Sequence, residues 1–143
     1  MTTATDAAAT MRIRTVLDAA VRTPKTSGPT ATVADMHDLF QDDHVHAALI
    51  VDADGRLMSV IERPDLDAAS AASAPAWRFG RLEGRVIHPH ADLEHTWQAM
   101  RSQGRRRLAL IDDGGQVLGL LCLKRTGLGF CTDDDACARR HPK

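Results

Sequence analysis

Three groups of side chains have the types and spacings that chemistry uses. The first is basic. Arg105, Arg106 and Arg107 stand together, and Lys124 and Arg125 follow the next apolar segment. Guanidinium forks donate paired hydrogen bonds to phosphate, and strand ends in α/β units are where such ligands sit. The same residues would serve equally as a solvated basic edge or a dimer contact. The second group is imidazole: His44/His46 and His88/His90 form His-x-His pairs. On an extended chain each pair shares a face, as metal ligands must. Pro89 interrupts the second pair and no Cys or carboxylate completes a set, so structural or surface histidines are expected and no metal. The third group is Cys122, Cys131 and Cys137, with His141 nearby. A C-x5-C spacing is not a zinc signature. Packed, reduced thiols are expected, with a thiol- or metal-responsive site as the alternative. No Gly-rich phosphate loop, Ser/His/Asp set or catalytic pair of acids appears. The expectation is a protein that is not an enzyme.

Bulk properties narrow the partners. The 143 residues carry 18 basic and 19 acidic side chains and are 43% hydrophobic, as expected of a soluble domain without a global field for nucleic acid or membrane surfaces. No apolar run approaches the roughly 20 residues a membrane helix needs. Residues 1–11 read as a flexible tail, because Met1 to Thr10 is Thr/Ala-rich and lacks the apolar segment of a signal peptide. An odd cysteine count without such a signal points to a reducing cytoplasm. With few aromatic residues and no Tyr, the core must be aliphatic and base-stacking surfaces are not expected.

The elements that must position these groups come in two copies. Shifted by 60 positions, Pro29 to Ile61 falls on Pro89 to Leu121 without a gap. Thr32 meets Asp92, Phe40 meets Met100, Asp52 meets Asp112, and Gly55 meets Gly115. In copy one, Thr32 and Asp35 form a capping box before a helical stripe of Val33, Met36, Leu39 and Phe40. Asp92 caps the matching stripe of Leu93, Trp97 and Met100. Apolar strands follow at Ala47–Val51 and Leu108–Ile111. Asp/Gly turns and second strands at Leu57–Ile61 and Val117–Leu121 complete the hairpins. Pro64 suits the first turn of a closing helix ending near Ala71. A short strand is expected at Val86–Ile87; for copy one, polar Thr26-Ser27-Gly28 makes Val21–Thr23 the better candidate. Neither half could cover both faces of so small a sheet alone, so the halves should pack about a pseudo-twofold axis.

This β-α-β-β-α unit in tandem resembles the cystathionine-beta-synthase-type (CBS) domain pair. The signal is clearest in His46-Ala-Ala-Leu-Ile-Val-Asp-Ala-Asp-Gly55 and in Arg106 to Leu121. The resemblance implies an α/β (α+β) fold with repeat 1 at residues 12–71, repeat 2 at 72–130 and a tail or short helix at 131–143. It also implies a regulatory module, usually a homodimer, that binds AMP, ADP, ATP or S-adenosylmethionine between its copies and signals to an effector protein. The family's motif is a Thr or Ser for phosphate and, three residues later, an Asp for the ribose. Copy one has Glu62 and Asp65 there, flanking Arg63; copy two has Cys122 and Arg125. Glu62 would repel phosphate by on the order of 1 kcal/mol. Arg106, Arg107, Lys124 and Arg125 could neutralise it, and His46 stands at the copy-one place of Arg106. Val86 and His88, where strand runs into helix, are the candidate adenine contacts. Copy one, which keeps its acid, is expected to hold the dominant site, unless Asp65 only caps a helix end.

Overall fold

Residues 14–68 and 71–131 are described by the computed structural model of the chain. The elements are α1 (Val16–Ala19), β1 (Thr26–Ser27), α2 (Val33–Leu39), β2 (Ala48–Val51), β3 (Leu57–Ile61), β4 (Val86–Ile87), α3 (Leu93–Gln103), β5 (Arg107–Ile111) and β6 (Val117–Cys122). They build two three-stranded sheets of order β1-β2-β3 and β4-β5-β6. Each sheet pairs its first strand parallel and its hairpin antiparallel.

The 60-residue correspondence holds in detail. The capping box forms, with Thr32 N–H donating to Asp35 Oδ2 at 2.9 Å and Asp35 N–H to Thr32 Oγ1 at 3.2 Å. Asp92 accepts from His95 N–H at 2.7 Å. Asp52 Oδ1 accepts from the amides of Asp54 and Arg56, and Asp112 Oδ1 from those of Gly114 and Gln116. Gly55 and Gly115 close these turns at φ of 84° and 87°, a region that favours glycine. Even the register shift recurs, at Ile50/Val51 and at Leu110/Ile111.

Three expectations need correction. Copy one's first strand is Thr26–Ser27, 60 residues before Val86–Ile87, and not Val21–Thr23. A short edge strand tolerates polar residues because one side faces water. Val21 instead bridges Leu120 of the other sheet. The segment after β3 is a 3-10 helix, Arg63–Ala68, and not an α-helix to Ala71; Asp65 and Asp67 are weak helix formers and Leu66 alone anchors it in the core. After β6 a turn at Lys124–Gly127 and a bridge from Leu123 to Phe130 replace the closing helix, since Gly127 takes φ of 76°. The tail expected at residues 1–11 and, beyond Cys131, the tail or short helix expected at 131–143 lie outside the described residues.

The lead-in segments are exchanged between halves. Thr15 bridges Asp92 and Val21 bridges Leu120; 60 residues on, Pro75 bridges Thr32 and Arg81 bridges Val60. Val16 is buried with Met100, Leu110 and Leu121 under the second sheet. Ala76, in a 3-10 turn at Ala76–Phe79, is buried with Met36, Ile50 and Ile61 under the first. Between the sheets lies a shared core of Leu49, Leu57, Val60 and Ala109. Pseudo-equivalent residues touch across its axis: Arg56 bridges Gln116, and Arg106 lies 3.3 Å from His46 Nε2.

Candidate functional site

In the first half, the acid expected to hold a sugar already holds an arginine. Asp65 sits at the start of the 3-10 helix and accepts from Glu62 N–H at 2.7 Å. Arg85, at the end of the turn before β4, donates to Asp65 Oδ2 at 2.6 Å and to Oδ1 at 3.1 Å. It also donates to the Val60 carbonyl at 2.7 Å. The paired side chains are 4% and 11% exposed, so this is a buried bidentate pair, a strong form of ion pair. Burial alone would raise the Asp65 carboxyl pKa, but the hydrogen bonds from Arg85 and the Glu62 amide, with the Arg85 charge, bring it below its usual value. Burial opposes the Arg85 cation, and the Asp65 bond with the charges of Glu62 and Asp65 outweighs it, so its pKa rises. Glu62 extends the network, 3.4 Å from Arg85 and accepting from Arg105 at 2.8 Å.

What remains of this cleft is an outer groove of about 300 Å³, lined by His46, Glu62, Arg63 and Arg105–Arg107. Its cations are committed to the protein. Arg63 donates to the carbonyls of Phe40, Asp42 and Val45 and lies over the Phe40 ring. Arg106 donates to the Leu123 carbonyl, and Arg107 to those of Arg106 and Leu123. The His46 imidazole is partly buried among them. Burial first, then the charges of Arg107, Arg106 and Arg63, lower its pKa to about 4. It is neutral near pH 7, and because a guanidinium has no acceptor, Nε2 accepts from Arg106.

The equivalent inner cleft beside the second-half strand β6 is open. It measures about 140 Å³ and lies between the halves, with Ala47 and the start of β2 (Ala48, Leu49) on one side, Leu120 and Cys122 of β6 on the other, and Ser27 on its wall. Lys25, 60 residues before Arg85, stands at its rim, exposed and without an ion pair among the described residues. Arg125, the counterpart of Asp65, offers it no carboxylate to grip. Arg107, His44 and His46 also line this cleft.

The candidates from sequence therefore divide. His46, Glu62, Arg63, Arg106 and Arg107 come together around the outer groove, with Asp65 locked beneath. Lys124 and Arg125 line a separate basic groove with Arg101 and Arg105. Val86 lies half-buried in the inter-sheet core. His88 is 3.4 Å from Asp113 in the β5–β6 turn of its own sheet, and His44 is 3.2 Å from Asp42. Among the described residues no group of His, Cys, Asp and Glu could hold a metal ion. Two site residues were missed, Arg85 and Lys25; the 60-residue shift that aligns them, basic on basic, was the available signal.

The comparisons agree with this architecture. The CBS domain model matches residues 16–72 and 85–125. Among solved structures the chain resembles AcuB from Vibrio cholerae, at 22% identity over 77% of this chain and 84% of that one, with a TM-score of 0.66. It resembles CBSX2 in complex with AMP, at 20% identity over 79% and 91%, TM-score 0.64. It also resembles the cytosolic domain of the Mg2+ channel MgtE in complex with ATP, at 18% identity over 71% and 43%, TM-score 0.55. No curated protein matches the sequence. Two family matches, one on each sheet, and the pseudo-twofold packing make the chain a member of the CBS domain family, built as a tandem pair.

Proposed function

We propose that this chain is a non-catalytic, cytoplasmic regulatory module whose second-half cleft takes an adenosyl ligand. The observation that carries the reading is the contrast between Arg85 and Lys25. Arg85 fills the inner part of one cleft, whereas Lys25 leaves the other open with its ammonium at the rim. An opening of about 140 Å³ is close to the roughly 150 Å³ that takes a benzene ring. A flat heterocycle would enter between Ala47 and Leu120, leaving sugar and phosphate outside beside Lys25. The AMP- and ATP-bound relatives support an adenine nucleotide. Output would pass to an effector protein, or through rearrangement of a homodimer.

The test is a thermal-shift panel with AMP, ADP, ATP and S-adenosylmethionine. A ligand at 100 times its Kd should add about 2.7 kcal/mol, and Lys25→Ala should remove that gain. No shift with any of the four contradicts the reading. It would leave the alternative that the internal ion pair itself favours: a dimeric interaction module with both clefts out of use.

A further inference from the structure

The second-half cleft has a thiol in its wall, and a second thiol stands directly behind it. Beyond β6 the chain turns at Lys124–Gly127 and returns antiparallel. Lys124 N–H donates to the Gly129 carbonyl at 2.8 Å, and Cys131 N–H to the Cys122 carbonyl at 2.7 Å. Leu123 bridges Phe130 between these bonds. Cys122 and Cys131 therefore oppose each other at a hydrogen-bonded position of the ladder, where Cα atoms lie about 5.5 Å apart. Side chains of opposed residues leave the same face, and both pack with Val21 in one small cluster. The Cα separation lies inside the roughly 4.4–6.8 Å that a disulfide spans, while the Cβ atoms, wider apart at a hydrogen-bonded pair than at a non-hydrogen-bonded one, must draw in to about 4 Å to bond. Both are reduced thiols, 4% and 5% exposed. Cys122 lines the open cleft, the side from which an oxidant would approach once the wall opens to expose the sulfur.

We propose that Cys122 and Cys131 are a redox modification site, a dithiol that closes reversibly to a disulfide in the wall of the cleft. The oxidant is a low-molecular-weight disulfide such as oxidised glutathione. The Cys122 thiolate attacks one of its sulfurs, forming a mixed disulfide and releasing one glutathione thiolate. The Cys131 thiolate then attacks the Cys122 sulfur and releases the second. Two electrons leave the protein, both thiol protons go to the two glutathiones, and one S–S bond replaces the one consumed. The site needs no nucleotide, so it stands or falls separately from the ligand reading.

The full chain, reduced and then equilibrated in a glutathione redox buffer, should lose two hydrogens in intact mass. Non-reducing peptide mapping should join the Cys122 peptide to the Cys131 peptide, and dithiothreitol should reverse the change. Cys137→Ser should keep the bond, while Cys131→Ser should leave a glutathione adduct on Cys122. The wild-type map decides the matter even where a variant fails to fold. A bond to Cys137, glutathione adducts alone, or an unchanged mass under oxidation each overturns the proposal.

Discussion

The two halves of this molecule share a backbone plan and differ in how one basic residue is used. At the position before the first strand, one half carries Arg85 and the other Lys25. The planar guanidinium reaches a buried carboxylate with two bonds. Lysine, a strongly hydrated point charge, stays in water, and the residue 60 positions after Asp65 is Arg125, which gives it no carboxylate to reach. The repeat thus preserves the frame while one ligand-sized space is filled by the protein's own ion pair. A second exchange has the same character. In the first half the crossing of lead-in and hairpin is made by Gly80 against Ser59, and in the second by Ala20 against Gly119. The glycine has changed sides, and each crossing admits only one small side chain.

The sharpest way to break the comparison is to mutate both positions. Arg85→Ala leaves Asp65 charged and buried, and loss of one partner of such a pair costs about 3–5 kcal/mol. Lys25→Ala, at an exposed position, should stay within about 0.5 kcal/mol. Urea unfolding midpoints of the two variants measure the difference directly. Arg85→Met with Asp65→Leu should recover most of the loss, because hydrophobic replacement of a buried pair is often neutral. Equal effects at Arg85 and Lys25 would end the distinction drawn here.

Next in size is the crossing. A Cβ on Gly80 would sit 2.3 Å from Ser59 Oγ and 2.5 Å from the Val60 carbonyl oxygen. Gly80→Ala should cost about 1–3 kcal/mol by overpacking, read from the same midpoints. Gly119→Ala meets the Val21 carbonyl oxygen at 2.8 Å and should cost less. The reverse order would mean that the first half relaxes more easily than its packing implies.

The smallest effect concerns the residues on the axis. His46 has its pKa lowered from 6.5 to about 4 in the folded chain, so the unfolded chain binds the extra proton first as pH falls. Its contribution is fully present above pH 6.5 and is lost on descending to about pH 4, on the order of 1 kcal/mol once solvent screening is allowed for. Asp65, whose carboxyl is also lowered, contributes stability that is present above the usual carboxylate range and lost further down. His46→Asn should flatten the upper part of the pH–stability curve and leave the acid limb in place. A wild-type curve flat from pH 7 to pH 4 would contradict the His46 assignment.

Much of the frame was legible in the sequence because its signals are local. The apolar runs at β2, β3, β5 and β6, the caps at Thr32 and Asp92 and the Asp/Gly turns each depend on neighbours within a few residues. Thr26–Ser27 was not legible as a strand, since an edge strand this short owes its place to its partner and not to its own side chains. The crossover of the lead-in segments was hidden too: Val16 announces that it will be buried, but not under which sheet. The site was the least legible part. Asp65 matched a motif by position, yet its partner Arg85 lies 20 residues away, and only the folded arrangement of turn and 3-10 helix brings them together. The shift that aligned Pro29 with Pro89 also aligns Lys25 with Arg85, so the pairing of basic residues was visible while its consequence was not.

The central claim is that one cleft is locked and the other open, and calorimetric titration of an adenine nucleotide tests it most directly. The account predicts one ligand per chain, lost in Lys25→Ala and retained in the Arg85→Met, Asp65→Leu double variant. Two ligands per chain, or binding that survives loss of Lys25 but disappears with Asp65, would contradict it.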